Sequence, residues 1–310
     1  MTTGGPSAAE PDLSAGAAWV DGAVVPIAEA TISVTDWGLT HSDATYDVAP
    51  LWEGAFFRLN DHLDRFEASM AALRLDIGMD RAAIRQSLHA IVAASGLRRA
   101  YVAMVATRGV PLISGTRDPR QCRNRYIAWC VPYVFVIKPE IAAAGAAIKI
   151  ASTQRISDEA VDAAVKNYHW GDFTAGLMEA KDAGFETTLL LDAEGGVTEG
   201  PGFNIFAVKN GALRTPDRHC LRGITRRTVL EIAAEAGLPA SEGPLTREEL
   251  LEADEVFITT SGGGPTWIAR IDDRIFGNGA EGAVTAQIRE TYWRWITSRA
   301  DLRDEVDYSD

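Results

Sequence analysis

A mixed α/β protein in two domains is what this sequence predicts, and three observations carry that prediction. Both halves of the chain alternate short apolar strand-like runs with segments whose apolar residues recur at spacings of three and four. Tight-turn pairs, Asp21-Gly22, Glu53-Gly54 and Asn210-Gly211, separate strand-like runs as hairpins do. The stretch I-K-P-E-I-A-A-A-G-A-A, residues 137–147, reads as a linker between the halves. The expected division is therefore a disordered lead over 1–16, an N-terminal domain over 17–136, the linker over 137–147 and a C-terminal domain over 148–310.

Residues 1–16 are rich in Gly, Pro, Ser and Ala and have little to bury, which fits a disordered lead. A-W-V-D-G-A-V-V-P and L-W-E-G-A-F-F-R-L each read as a hairpin. In N-D-H-L-D-R-F-E-A-S-M-A-A-L-R-L, the spacing of Leu63, Phe66, Met70 and Leu73 predicts an amphipathic helix with Asn60 or Asp61 as cap. Asp80 opens a second helix, with Ile84, Leu88, Ile91 and Val92 on one face and Gly96 as its stop. Strands follow at Tyr101–Thr107 and Tyr126–Ile137. Beyond the linker come a strand at Ile148–Ala151, a helix from about Asp172 to Lys181 and the strand E-T-T-L-L-L-D. The hairpin F-N-I-F-A-V-K-N-G-A-L is next, then helices at Thr225–Ala236 and Arg247–Leu251. The strand E-V-F-I-T-T and a Trp-rich helix near Ala286–Trp295 complete the chain.

Of the 310 residues, 46% are hydrophobic and 24% charged, a globular composition, and the net charge of −13 excludes a binder of phosphate backbones, which needs a basic stripe. Residues 1–57 contain no Lys or Arg, so no secretory leader is expected. The longest nearly apolar run, Tyr126–Ile137, falls short of the roughly 20 residues that span a bilayer and is interrupted by Pro132. A cytoplasmic protein without nucleic-acid or membrane partners is expected. The three cysteines, Cys122, Cys130 and Cys220, form no CxxC pair, so neither a disulfide framework nor a metal site is expected.

The basic residues are nearly all arginine, and the five lysines are Lys138, Lys149, Lys166, Lys181 and Lys209. Only Lys166, in A-A-V-K-N-Y-H-W-G-D, has bulky or aromatic neighbours. Burial there would lower its pKa and make its amine a nucleophile, or its stem packs along aromatic rings with the ammonium in water. Glu199, in G-G-V-T-E-G-P-G-F-N-I-F, sits between glycines before a strand, either a surface turn or a carboxylate where a flat ligand can approach the backbone. In L-R-G-I-T-R-R-T-V-L, Ile224-Thr225 opens a helix whose N-terminus suits a phosphate, or Thr225 merely caps it. V-F-I-T-T-S-G-G-G ends a strand in hydroxyls and a glycine loop, a phosphate cradle or a turn. Arg65 either pairs with Asp61 one turn away or points inward to an anion.

Taken together and in this order, H-S-D-A-T-Y-D-V (41–48), F-F-R-L-N-D-H-L-D-R-F (56–66), V-K-N-Y-H-W-G-D (165–172), V-T-E-G-P-G-F-N-I, T-P-D-R (215–218) and G-I-T-R (223–226) resemble the fold type IV pyridoxal-phosphate enzymes. That group includes branched-chain, D-amino-acid and (R)-selective amine transaminases, and H-S-D-A-T-Y-D-V resembles the (R)-selective branch. The resemblance runs from about residue 20 to the C-terminus.

It implies a smaller N-terminal α/β domain, a larger barrel-like C-terminal α/β domain, pyridoxal 5′-phosphate in the cleft between them, and a homodimer whose loops close each other's pockets. Lys166 then attaches the cofactor and moves a proton, while Glu199 faces the pyridine nitrogen. Arg65, Ile224, Thr225 and Thr260 hold the phosphate, with Phe203 and Asn204 at the ring edge. His41, Tyr46, Val48, Tyr101, Trp170 and Thr259 map to the substrate pocket, an aromatic and apolar set suited to an alkyl or arylalkyl amine. In that branch a loop after T-R-G carries an arginine for the keto-acid carboxylate. Here the loop reads T-R-G-V-P-L-I-S-G-T-R-D-P-R, with Ser114 at the position and Arg117 three residues on. The implied reaction moves an amino group from an (R)-amine or D-amino acid to a keto acid, the alternatives being a branched-chain transaminase or an aminodeoxychorismate-lyase-like enzyme. A non-catalytic pyridoxal-phosphate binder is disfavoured by the joint presence of Lys166 and Glu199.

Overall fold

The computed structural model describes residues 13–309. In chain order the first half comprises β1 (Ala17–Val20), β2 (Ala23–Pro26), α1 (Trp37–Thr40), β3 (Ala44–Trp52), β4 (Ala55–Phe57), α2 (Leu59–Ala72), α3 (Arg81–Ser95), β5 (Arg99–Pro111) and β6 (Cys122–Pro132). The second comprises α4 (Pro139–Ala144), β7 (Ala146–Gln154), α5 (Gly171–Asp182), β8 (Thr187–Leu191), β9 (Asn204–Lys209), β10 (Ala212–Thr215), α6 (Ile224–Glu235), β11 (Ala240–Glu242), α7 (Arg247–Leu251), β12 (Glu255–Thr260), β13 (Gly264–Ile271), β14 (Arg274–Ile275), α8 (Ala283–Ser298) and β15 (Arg303–Glu305). One sheet runs β15-β4-β3-β5-β6-β1-β2 and the other β11-β10-β9-β12-β13-β7-β8, with β14 beside β13. The mixed α/β class is as expected, and among the described residues no helix is long and apolar enough to cross a membrane.

The three turn pairs close hairpins because both residues of each adopt positive φ: Asp21 52° and Gly22 87°, Glu53 52° and Gly54 81°, Asn210 51° and Gly211 77°. The apolar faces of α2 and α3 cover the first sheet, burying Leu63, Phe66, Ile84, Leu88 and Ile91 against Phe56 and Val102. A separate cluster joins the halves: Phe57 from the first sheet packs with Phe206 and Phe257 of the second sheet and with Tyr292 of α8. Phe206 and Phe257 stack with ring centroids 4.9 Å apart.

Several boundaries differ from those the sequence predicts. Most of the lead lies outside the described residues, but Leu13 and Gly16 form a turn closed by a Gly16 N–H to Leu13 carbonyl bond of 2.9 Å. The second of the long strands ends at Pro132, and residues 133–137 cross to the other half instead, where Val136 N–H donates to the Gly262 carbonyl at 2.8 Å. The expected linker contains α4, with Pro139 in its first turn and Gly145 at φ 87° just beyond it. Helix α2 is not capped by Asn60 or Asp61. Arg58 takes the cap position in left-handed backbone, because its buried guanidinium pairs with Asp61 at 2.9 Å and also reaches Glu231 on α6. Likewise α6 is capped by Gly223 rather than Thr225.

Candidate functional site

Lys166 belongs by sequence to the second half but is pinned to the first. Its carbonyl accepts the Thr45 hydroxyl at 2.6 Å and the Tyr46 N–H at 3.2 Å, which fixes the segment along β3. This places Nζ 4.4 Å from the centroid of the Tyr46 ring, itself stacked on Tyr168 at 4.2 Å. Burial lowers the Lys166 pKa and the nearby Arg65 charge adds to that, while Asp47 and Glu199 oppose it, bringing the amine from its ordinary 10.5 to about 8. The other lysines lie elsewhere. Lys149 pairs with Asp272 at 3.1 Å, Lys181 donates to the Glu186 carbonyl at 2.6 Å, Lys209 faces Asp254 at 3.5 Å, and Lys138 caps α4.

Glu199 enters the same cavity just before β9 and is 6% exposed. Gly200 makes this possible, since a Cβ there would lie 2.1 Å from Phe203 Cζ and 2.4 Å from the Thr188 carbonyl oxygen. Glu199 Oε2 accepts the Leu221 N–H at 2.9 Å and Oε1 lies 3.1 Å from Arg155 Nη2. Burial pushes the Glu199 carboxyl above its ordinary pKa, and Arg155 and the Leu221 N–H work against that rise. Arg155 also holds Asp172 at 2.6 Å and lies 4.2 Å over the Phe173 ring.

Arg65 lines the cavity too, and its partner is not Asp61 but Asp47, through Nε at 2.7 Å and Nη2 at 2.8 Å. His62 Nδ1 lies 2.8 Å from the same carboxylate. Burial alone would raise the pKa of Asp47, but Arg65 and His62 outweigh it and hold the carboxyl well below the usual range. Nearby, α6 begins at Ile224 without a side-chain cap, leaving its first N–H groups without helical partners. A Cβ at Gly223 would fall 2.1 Å from Asn204 Oδ1, so a side chain there would displace the Asn204 amide. Asn204 Nδ2 donates to the Leu221 carbonyl at 2.8 Å, and Thr260 Oγ1 accepts the Gly262 N–H at 3.1 Å.

Tyr46, Val48, Tyr101, Trp170 and Thr259 form the remaining wall named from the sequence, and the buried Thr259 hydroxyl has no protein partner. Lys166, Arg65, Glu199, Phe203, Asn204, Ile224, Thr225 and Thr260 share this cavity with them. Three expected residues do not line it. His41 ends α1, stacked on Trp37 at 4.4 Å and hydrogen-bonded to the Thr40 hydroxyl at 2.7 Å. Ser114 and Arg117 are exposed on the β5–β6 loop, carried away from the cavity as the hairpin extends past a bulge between Thr107 and Val110. Conversely, sequence reasoning passed over Arg155, Asp47 and His62. Asp47 lay inside a quoted motif as a polar residue in an otherwise buried strand, and that was the available signal.

The chain matches the model of the amino-transferase class IV family over residues 44–271. It is 29% identical to the branched-chain-amino-acid aminotransferase of Pseudomonas aeruginosa over 94% of this chain and 96% of that one. It is equally 29% identical to the D-alanine aminotransferase of Listeria monocytogenes, over 87% of this chain and 92% of the other. Among solved structures, the T.th. branched-chain amino acid aminotransferase with pyridoxamine 5′-phosphate superposes with a TM-score of 0.88, 29% identity and coverage of 95% of this chain and 100% of that chain.

Proposed function

This chain belongs to the class IV aminotransferase family and is a pyridoxal 5′-phosphate-dependent aminotransferase of fold type IV, from which we propose that it moves the amino group of an (R)-amine or D-amino acid with an apolar or aromatic substituent to a keto acid. The observation that carries the substrate reading is the cavity wall beside Lys166, built from Tyr46, Val48, Tyr101 and Trp170. Such a wall favours burial of alkyl or aryl groups.

The residues present fit the cofactor. The cavity offers one lysine amine, one buried carboxylate, an arginine with N–H bonds to spare beside an uncapped helix N-terminus, and glycines at 200 and 223 where any side chain would collide. When bound, pyridoxal 5′-phosphate supplies an electron sink for charge developing at the substrate carbon. Lys166 Nζ, with its pKa near 8, is neutral often enough to accept a proton and charged often enough to return one near neutral pH. The Glu199 carboxylate, whose charged form Arg155 favours against burial, is the partner for the ring nitrogen. Arg65 and the N–H groups of Ile224 and Thr225 hold the phosphate. The Tyr46 ring packs against the lysine amine, and Trp170 lines the same cavity.

A branched-chain L-amino acid is the second reading for the donor, favoured by the names of the Pseudomonas aeruginosa and T.th. proteins. A homodimer is the proposed assembly, supported by the exposed Ile32, Val34, Leu39, Leu112 and Ile113. Mixing the cofactor-loaded protein separately with (R)- and (S)-1-phenylethylamine, D-alanine, D-glutamate and L-leucine, while following conversion to the pyridoxamine form, tests the donor. Conversion by the (R)-amine or by D-alanine supports the first reading. Conversion by L-leucine alone moves the donor to the branched-chain class.

A further inference from the structure

We infer that the buried pair Asp47 and His62 is a positioning relay that sets the Arg65 guanidinium for the phosphate of the cofactor. The inference rests on the proposed role of Arg65 as a phosphate-holding residue. Asp47 is fully buried, and its two oxygens meet four donors: Arg65 Nε at 2.7 Å, Arg65 Nη2 at 2.8 Å, His62 Nδ1 at 2.8 Å and the Val48 N–H at 2.7 Å. An ionised carboxylate only accepts, so His62 Nδ1 carries the hydrogen of that bond. His62 is 1% exposed and lies three residues before Arg65 on α2, so one helix face presents both side chains to Asp47 on β3.

The grip is one-sided. Asp47 takes the edge of the guanidinium formed by Nε and Nη2, and Nη1 donates to the Arg222 carbonyl at 3.3 Å. Of the five N–H bonds of an arginine, two remain uncommitted. Arg222 immediately precedes Gly223, the N-cap residue of α6, so the contact aims the free part of Arg65 at a helix N-terminus that no side chain caps. An ion pair that only held the fold together would have no reason to leave donors turned to a cavity. His62 fixes the carboxylate from behind, so that Asp47 cannot rotate and let Arg65 swing. Asp47 also carries a negative charge that partly offsets the effect of Arg65 on Lys166.

The test compares binding of pyridoxal 5′-phosphate with binding of pyridoxal, which lacks the phosphate, to the cofactor-free protein. Wild type, Asp47→Asn, His62→Leu, His62→Asn and Arg65→Ala are measured side by side. Loss of a charge-assisted hydrogen bond should weaken pyridoxal 5′-phosphate binding by at least about tenfold in Asp47→Asn and His62→Leu. Pyridoxal binding should stay within about twofold, and His62→Asn, which keeps a donor near the Nδ1 position, should recover most of the loss. Equal weakening of both ligands, or unchanged or tighter phosphate binding, overturns the relay. If Asp47→Asn does not fold, the two His62 variants decide alone. Should Arg65→Ala itself keep the preference for the phosphorylated ligand, the role proposed for Arg65 fails, whereas its loss there with no change in the other variants sinks the relay only.

Discussion

Replacing Arg155 with methionine removes the one positive charge lodged between two carboxylates. Arg155 Nη1 lies 2.6 Å from Asp172 and Nη2 lies 3.1 Å from Glu199, and the three side chains are 5%, 11% and 7% exposed. Methionine keeps length and packing against Phe173, so the change is mainly electrostatic. Asp172 retains the N–H groups of Ile156 and Phe173, at 2.8 and 2.7 Å, and Glu199 retains that of Leu221. Among the described residues neither retains a hydrogen-bonded counter-charge. Breaking a buried ion pair from one side costs about 3–5 kcal/mol, and urea unfolding of the cofactor-free variant measures it.

The pH dependence gives the sign. Burial raises the Glu199 pKa in the folded state, and without Arg155 it rises further, so the folded carboxyl binds its proton while the unfolded one, near 4.5, has released it. Stability then falls as pH rises through that window. The deficit of Arg155→Met relative to wild type should therefore be largest at neutral pH and shrink towards pH 4.5, and adding Asp172→Asn should recover part of it. A deficit under about 1 kcal/mol, or one that is flat with pH, refutes the claim that Arg155 holds charge on Glu199.

Two further perturbations follow from the site. Lys166 has a folded pKa near 8 against 10.5 when free, so its charged form is disfavoured on folding and stability gained from deprotonation accrues between those values. Cofactor-free Lys166→Met should be more stable than wild type below pH 8, with the difference shrinking from pH 8 to 10.5, and pH-resolved urea midpoints would expose a constant or reversed difference. Gly200→Ala should lose about 1–3 kcal/mol by overpacking, because one of the colliding atoms is the Thr188 carbonyl oxygen and cannot turn aside. A urea midpoint equal to that of wild type would mean the 199–203 turn shifts freely.

What the sequence made legible was local. The Asp21-Gly22, Glu53-Gly54 and Asn210-Gly211 turns each need a backbone that few residue pairs supply, and the helix ending at Gly96 stops there because glycine accepts φ 67°. Helix α7 is bounded as expected, over Arg247–Leu251, because Thr246 and Glu249 form a reciprocal cap. Lys166 stood out because few lysines compete with it and its neighbours are aromatic.

The hidden part was non-local. Arg155 reads as one residue of a polar run, since Asp172 and Glu199 lie 17 and 44 positions further on. Asp47 and Arg65 are 18 positions apart on a strand and a helix, and the nearer Asp61 is the better local guess. That guess fails because Asp61 is already engaged by Arg58 and Arg227. Tertiary ion pairing also displaced the expected cap of α2, and the reach of the β5–β6 hairpin put Ser114 and Arg117 outside the cavity of their own chain.

Borohydride reduction of the cofactor-loaded protein, followed by peptide mass mapping, tests the central claim most directly. The pyridoxyl mass is expected on the peptide containing Lys166 and on no other. Its appearance on Lys138, Lys149, Lys181 or Lys209, or on no lysine at all, would contradict the assignment of Lys166 as the residue around which this site is built.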